Sequence, residues 1–464
     1  MKFRSYLKAG IYTTLNIIFY ALKRGRYLWL EGRVRDGRFH NWAHRFRYRP
    51  QNFAQPRTEA ELVEVVKNAK SLRLFGSAHS FNDGIVSDET LVSLDNFSGV
   101  VWKDLAKKQM AFKGGTRIRD VVKFLLDEGL AFSSLPSHDA QSIGGILSTD
   151  VHGTGRDWGF VSELVVSLKV IDARGQIREC VPTDDLFRAA IGGVGAAGII
   201  SEVVVQAVDR FNIEQKVEMS KFSIVMQNLD RLLQENEHLS LYVFPFTDNC
   251  QINIWNSTTK EKSTLGSLRE FVSISSDALI SAWFGGFMAY SGLLRPLSRL
   301  AYGFKRGTDL VLESNEGYNR TIYHLHQELE FTIPFEDTIE MCRRFRKLYE
   351  EMYSADLPYG FLEVRFTPPG HLCTFIGAGR ERRSTWIDLI INDSAGFEKY
   401  YAAAEDSLKQ LDARPHLGKF CQSLTTRDLA RLHEEHFAKF LEVAAQQDPD
   451  KKFANVFTRR LFWN

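Results

Sequence analysis

Phe75-Gly76-Ser77-Ala78-His79-Ser80-Phe81-Asn82-Asp83-Gly84, read together with Ser142-Ile143-Gly144-Gly145 and Val151-His152-Gly153-Thr154-Gly155 further along, decides how this chain is organised. Each stretch follows a strand-like segment, residues 72–75 and 131–135, and consists of small residues that let backbone N–H groups approach an anion closely. A pyrophosphate is the guest such loops suit. The spacing departs from G-x-G-x-x-G, and no acidic residue follows at the ribose distance, which argues against a nicotinamide Rossmann unit.

G-S-A-H-S-F-N followed by S-I-G-G and H-G-T-G resembles the vanillyl-alcohol-oxidase or PCMH-type FAD flavoproteins, and within them the aldonolactone oxidoreductases and alditol oxidases. The resemblance implies an α+β, two-domain PCMH-type FAD-binding fold with an antiparallel-sheet cap that meets the substrate. It implies that FAD is held by Gly76, Ser77, Ala78, His79, Ser80, Ser142, Gly144, Gly145, His152, Gly153, Thr154 and Gly155. A glycine cluster ending in Gly198 and Ile199 is similar to the segment that lies near adenine and flavin in the family. In relatives reading G-S-G-H-S the histidine is bonded to the flavin 8α-methyl, so the resemblance implies a covalent link through His79. A loop histidine bonding only backbone is the plainer reading of the residue alone. Ala78 replaces the usual glycine, and the loop is strained there if that position needs positive φ.

At 464 residues the chain exceeds what one hydrophobic core serves, so two domains are expected. Five cysteines, Cys180, Cys250, Cys342, Cys373 and Cys421, form no C-x-x-C pair. Neither a zinc site nor a disulfide framework is signalled, no metal is expected, and a reduced compartment is implied.

Residues 1–49 carry twelve Lys or Arg against Glu31 and Asp36, a balance of +10, so the rest of the chain stands at −8 for the net of +2. Inside this basic arm, residues 9–22 (AGIYTTLNIIFYAL) are uncharged, between Lys2, Arg4 and Lys8 on one side and Lys23, Arg24 and Arg26 on the other. A helix of that length is roughly 21 Å, short of the ~30 Å hydrocarbon core. Two readings stay open: an interfacial helix on an anionic membrane, or a helix docked on the protein's own surface. Residues 278–294 (ALISAWFGGFMAYSGLL) are also uncharged and precede Arg295, Arg299, Lys305 and Arg306, as a buried helix or a second membrane-contacting element. The expected location is cytoplasmic, peripheral on the inner face of the membrane under the interfacial reading. Nucleic-acid binding is poorly motivated, because the basic arm is apolar at its centre.

The chain divides at sequence level into a basic arm (1–48), an FAD-binding domain (49–208), a cap or substrate domain (209–419) and C-terminal helices returning to the FAD lobe (420–464). In the first lobe, residues 59–69 and 118–128 read as amphipathic helices between short strands. Residues 214–219, 239–246, 251–255, 323–333, 360–366 and 385–391 read as strands of a mixed antiparallel cap. Glu328-Leu329-Glu330-Phe331-Thr332-Ile333-Pro334 is similar to a glutamate-rich cap strand of the aldonolactone oxidoreductases, and residues 453–462 resemble the tail that closes the flavin lobe. The resemblance runs from about residue 45 to the end.

Two short motifs nominate the chemistry. Glu363 and Arg365 stand two apart on a strand, so they share a face and are expected to be neighbours, with Glu363 orienting Arg365. In Arg414-Pro415-His416-Leu417-Gly418-Lys419, Pro and Gly set a turn that can present His416 and Lys419 inward. By themselves these are a surface ion pair and a solvated loop; both recur in the alditol and aldonolactone enzymes. The resemblance implies oxidation of a C–OH group of a polyol, an aldonolactone or a lipid-linked relative by hydride transfer to flavin, with Glu363, Arg365, Lys419 and His416 at the site. Oxygen, a quinone or a carrier takes the electrons, and Asp150 and Val151 before the second histidine motif make a dehydrogenase credible. The alternatives are a membrane-associated flavin dehydrogenase or reductase of a lipid or sterol-like substrate, and a non-catalytic, membrane-bound protein that keeps the fold.

Overall fold

The computed structural model describes residues 2–23, 32–87, 89–296, 298, 307–318, 325–353, 359–369, 374–379, 381–392 and 396–464. Arg24, Arg26, Glu31, Arg299, Lys305, Arg306, Tyr323 and Cys373 lie outside the described residues. The other four cysteines are buried free thiols.

Two of the sheets in the N-terminal half frame the glycine-rich loops. Strands Asn52–Ala54, Thr90–Ser93 and Leu72–Phe75 pair in parallel in that order. Strands Ile177–Cys180, Val165–Ile171, Ile199–Gln206, Gln109–Lys113 and Val100–Asp104 form a five-stranded antiparallel sheet. Helix Glu59–Asn68 starts where Thr58 accepts a hydrogen bond from the Glu61 N–H, with Glu59 and Glu61 in its positively polarised first turn. Its apolar stripe, Leu62 and Val66, packs with Leu72, Val92 and Ile171. The strand expected over 131–135 is only Leu130–Ala131, and residues 132–141 run as irregular backbone into the S-I-G-G loop.

From residue 212 the pattern becomes one eight-stranded antiparallel sheet. Its order is Thr308–Glu313, Asn212–Lys221, Asn249–Thr258, His238–Val243, Gly360–Thr367, Ser384–Asn392, His326–Pro334 and Arg414–Pro415. Thr308–Glu313 was not anticipated from sequence; the other long strands match the expected segments to within a few residues. Period-2 alternation gives the sheet two unlike faces. Leu329, Phe331, Ile333, Leu362, Val364, Ile387, Leu389 and Ile391 point to a core filled by helices Thr338–Met352 and Phe397–Leu408. Glu328, Glu330, Glu363, Arg365 and Asp388 occupy the opposite face.

The last helices, Thr426–Gln447 and Val456–Phe462, return to the first lobe. Phe437, Phe440, Phe457 and Leu461 bury Val194, Ala196 and Ala197 of the glycine cluster. The Leu72 N–H donates to the Lys452 carbonyl at 3.0 Å, so the tail is stitched to the strand that delivers the first glycine-rich loop.

Candidate active site

The loop after strand Leu72–Phe75 and the loop entering Ile143 run against each other. A Cβ on Gly76 would lie 1.9 Å from Ser142 Oγ, so only glycine allows the contact. Gly198 has φ +122°, and a Cβ there would meet Val170 Cγ1 at 2.6 Å. Ala78 adopts φ 53°, the left-handed conformation in which a Cβ costs roughly 1–2 kcal/mol. Its carbonyl accepts from the Trp42 N–H at 2.9 Å, which locks the strained turn to the segment before it.

These loops form an open cavity lined by Gly76, Ser77, Ala78, His79, Ser80, Ser142, Gly144, Gly145, Gly198 and Ile199. Arg73, fully buried, spans its floor. Its Nε donates to the Gly84 carbonyl (2.6 Å), Nη1 to Phe453 (2.7 Å) and Nη2 to Val194 (2.8 Å). Burial lowers its pKa to about 10, and the guanidinium stays charged. One side chain therefore ties together the first loop, the C-terminal tail and the glycine cluster.

A second cavity opens beside the first. Both are lined by His79, Ser80, Gln141 and Thr149, so they meet at the histidine. His79 Nε2 is buried without a hydrogen-bond partner. Its ring stacks on Trp42 at 5.2 Å and approaches the His138 ring at 4.4 Å. Burial, then the neighbouring His138, holds the His79 pKa well below the ordinary value, so the imidazole is neutral. Both nitrogens of His138 are likewise unpartnered.

The floor of the second cavity is the charged face of the eight-stranded sheet. Glu330, Asp388 and Glu363 are cross-strand partners on three neighbouring strands and stand abreast. Arg365 pairs with Glu330 Oε1 and lies 4.0 Å from Asp388. Lys419 pairs with Glu328 and lies 3.4 Å from Asp388 and 3.7 Å from Glu330 Oε2. The expected arrangement, in which Glu363 orients Arg365, is corrected: Glu330 holds the guanidinium, because Arg365 reaches across the sheet rather than along its own strand. His326 Nε2 stands 2.9 Å from Glu328, and His152 Nε2 stands 3.2 Å from Glu330.

Three buried carboxyls and the half-buried Glu363 face two cations, and the electrostatics divide them. Burial raises all four, but Lys419 and His326 outweigh it at Glu328, and Arg365 and Lys419 outweigh it at Glu330, so both end below the ordinary carboxylate range. Glu363 is pushed up by burial, and Asp388 is pushed well up by burial and by the adjacent Glu328. Two carboxylates balance two cations, and the other two carboxyls are driven toward the neutral acid. Burial depresses Arg365 and Lys419, yet the acids around them win and both pKa values rise. The set offers acceptors and donors side by side, with Arg365 Nε, Glu330 Oε2 and Asp388 Oδ1 making no hydrogen bond.

The turn carrying His416 and Lys419 is set by backbone pairing. The His416 N–H donates to the Glu330 carbonyl at 2.9 Å, and Phe420 N–H to Glu328 at 2.8 Å. Asn82, from the first loop, donates through Nδ2 to the carbonyls of Leu417 (2.6 Å) and Lys419 (2.9 Å). The Gly418 N–H donates to His416 Nδ1 at 2.9 Å. Burial lowers the His416 pKa to about 3, and burial followed by Arg365 lowers His152 to about 4.

His152, expected beside the cofactor loops, lines the second cavity instead and stacks on Trp386 at 3.5 Å. Gly153, Thr154 and Gly155 line neither main cavity. Thr154 Oγ1 donates to the Leu239 carbonyl and the Gly155 N–H to Phe366, joining this loop to the eight-stranded sheet. Asp150, expected to line the reactive edge, is buried and accepts from Ser162 Oγ at 3.0 Å, leaving Thr149 and Val151 at the cavity wall. Glu328, Glu330, Asp388, His326, His138, Asn82 and Arg73 were assigned no role at the site from sequence. The signal for the first three is acid alternating with aliphatic residues in E-L-E-F-T-I and W-I-D-L-I-I.

His152, Glu330 and His416 place ligand atoms within 4.8 Å of one another, a spacing that could hold a metal ion. Arg365 and Lys419 already neutralise that carboxylate and repel a further cation, so the donor set does not suit one.

Two family models match the chain: an FAD binding domain over residues 50–181 and D-arabinono-1,4-lactone oxidase over residues 203–461. The chain is similar to L-gulono-1,4-lactone dehydrogenase of Mycobacterium tuberculosis, 26% identical over 427 residues, covering 91% of this chain and 98% of that protein. It is 26% identical to mouse (Mus musculus) L-gulonolactone oxidase over 448 residues, covering 92% and 98%. It is 34% identical to D-arabinono-1,4-lactone oxidase of Candida glabrata over 222 residues, covering 46% and 42%. The crystal structure of cholesterol oxidase from B. sterolicum shares the fold, with a TM-score of 0.72 at 15% identity over 93% of this chain and 97% of that one.

Proposed function

The chain belongs to the D-arabinono-1,4-lactone oxidase family, and from that premise we propose that Arg365 and Lys419 grip the hydroxyl oxygen of an aldonolactone where the two cavities meet. The protein is an FAD-dependent oxidoreductase acting on C–OH donors of the aldonolactone type. The observation that carries the site assignment is the junction at His79, where a glycine-walled cavity opens onto a balanced cluster of acids and cations.

The residues around the first cavity fit FAD: Gly76 to Ser80, Ser142, Gly144, Gly145, Gly198 and Ile199 would hold it, and His79 would carry it covalently through its unpartnered Nε2. Bound FAD supplies the hydride acceptor. This reading treats residues 49–208 with 420–464 as the cofactor lobe and 209–419 as the cap.

Each hydroxyl of a lactone is donor and acceptor at once, and the second cavity answers in kind. Burial raises the Glu363 and Asp388 carboxyls; Glu330 Oε2 accepts, and Arg365 and Lys419 stabilise the oxygen as negative charge grows on it, which favours the transition state over the ground state. His416 is a positioning residue that shapes the turn presenting Lys419. Oxygen, a quinone or a carrier protein receives the electrons, and the similar proteins include both an oxidase and a dehydrogenase.

Anaerobic mixing with L-gulono-1,4-lactone or D-arabinono-1,4-lactone should bleach the flavin absorbance, and an alditol should do so more slowly. Acid-precipitated protein should stay yellow. Flavin released wholly into the supernatant refutes the His79 link alone, whereas no bleaching by any lactone refutes the substrate class. Re-oxidation by air, a soluble quinone or a carrier then ranks the acceptors.

A further inference from the structure

Helix Lys2–Lys23 and the helix formed by Gly266–Leu279, a π-turn at Ile280–Gly285 and Gly286–Ser291 lie side by side, although the sequence separates them widely. Gly10 lets the Trp283 ring approach to where a Cβ would lie 2.5 Å away, and Trp283 Nε1 donates to Thr14 Oγ1 at 3.0 Å. Tyr6 closes the contact edge-on against Trp283 at 5.7 Å.

Each helix carries small or polar residues on its buried side and a row of large apolar ones on its exposed side. Thr13 and Asn16 of the first, and Ser275, Ala278, Ala282 and Gly285 of the second, face the protein and are buried. Ile11, Leu15 and Ile18, with Ile280, Phe284 and Phe287, stand 45–53% exposed on the opposite side. A water-facing helix carries the reverse pattern. The spacing of each row, three or four residues, makes a continuous apolar stripe. Segment Gly266–Met288 is apolar enough to cross a membrane, yet only 28% of its most apolar window is buried, unlike the core helix of a water-soluble domain.

The pair cannot stand across a bilayer. Asn392 Nδ2 donates to the Ser281 carbonyl at 3.0 Å, Tyr359 fills the space beside Gly285, and Tyr12, Ile17, Phe271 and Ile274 pack on Trp42 and Phe81. Both helices are bound lengthwise to the protein, which leaves the stripes facing outward. Trp42 and Phe81 also line the second cavity, so the pair packs behind one wall of the active site.

Charge selects the occupant. The sequence sets Lys2, Arg4 and Lys8 before the apolar stretch and Lys23, Arg24 and Arg26 after it. The first helix has no acidic residue, and in the second Glu270 is buried and Asp277 half-buried. A second copy of the chain would bring like charges together, whereas an anionic headgroup layer attracts them and accepts the stripes beneath. We propose that this helix pair is a lipid-docking face by which the protein lies on an anionic bilayer, with the active-site wall at Trp42 and Phe81 on the membrane side.

The test uses the full-length holoenzyme and sedimentation with vesicles of phosphatidylcholine alone or mixed with phosphatidylglycerol. Wild-type protein should pellet with the mixed vesicles, bind phosphatidylcholine on the order of tenfold or more weakly, and be loosened but not released by high salt. The triple variant Ile18→Ser, Phe284→Ser, Phe287→Ser changes only exposed side chains, so flavin content and unfolding temperature should hold while vesicle binding falls on the order of a hundredfold. A wild-type protein that stays in the supernatant, a triple variant that pellets normally, or complete release by salt overturns the proposal. A lipid-independent dimer abolished by the triple variant, without vesicle binding, would make the face a self-association surface and overturn it as well.

Discussion

At the scale of single residues the site is a problem of charge balance. Lys419 is half-buried among Glu328, Glu330 and Asp388, so its ammonium both faces the substrate space and neutralises the acids that hold it. Lys419→Met should slow flavin reduction by substrate on the order of 10²–10³-fold, the scale for losing one charge-stabilising donor. It should also destabilise the fold by about 3–5 kcal/mol, because a buried carboxylate loses its partner. The two effects separate in a double variant: adding Glu328→Gln should restore the unfolding temperature but leave the rate low. Anaerobic stopped-flow bleaching and thermal unfolding of the three proteins decide it, and recovery of both quantities together would mean Lys419 acts only through structure.

At the scale of elements, the loops that form the first cavity are held by a side chain outside the glycine motifs. Arg73 sits on the strand delivering the first loop and reaches three carbonyls, one of them on Val194, which is itself held at φ 44°. A β-branched residue stays in that conformation only where its surroundings impose it. Arg73→Met keeps the stem but leaves three buried acceptors unpaired, each costing about 1–3 kcal/mol. Urea midpoints should fall accordingly, and the flavin-to-protein absorbance ratio should drop because the tail and the glycine cluster lose their common anchor. A variant with unchanged flavin content would show that the loops hold their shape without it.

At the scale of the whole molecule, burial of neutral histidines couples stability to pH. His138, His152 and His416 are held at about 3, 4 and 3 by burial, against an ordinary value of 6.5. The unfolded chain binds protons on these rings as pH falls through the ordinary value, while the folded protein does not until far lower. Their contribution is therefore complete above about pH 6.5 and is lost on acidification, each ring costing roughly 1–2 kcal/mol between pH 7 and pH 5. The unfolding temperature should drop steeply over that range, and His138→Gln, which removes a ring with no hydrogen-bond partner, should flatten the slope. A slope unchanged by that variant would assign the acid sensitivity elsewhere.

Period and spacing carried much of this fold on their own. Alternation over residues 360–366 and 385–391 specified strands, because one face must enter a core, and those strands appear as Gly360–Thr367 and Ser384–Asn392. Small residues at 76–78 and 142–145 specified close backbone approach, which needs no knowledge of partners. What the chain could not disclose locally was pairing across strands. That Arg365 bonds Glu330 rather than Glu363, and that Asp388 stands between two other carboxyls, is decided by the register of three strands brought together from distant parts of the sequence. The same holds for the two uncharged stretches near residues 9 and 278. Each reads alone as a helix for a membrane surface or for a protein surface, and only their side-by-side packing shows Thr13, Asn16, Ser275, Ala278 and Ala282 turned inward with Ile11, Leu15, Ile18, Ile280, Phe284 and Phe287 turned outward. Local pattern sets element type because backbone geometry is local, whereas charge pairing and the environment of a helix face depend on which elements become neighbours.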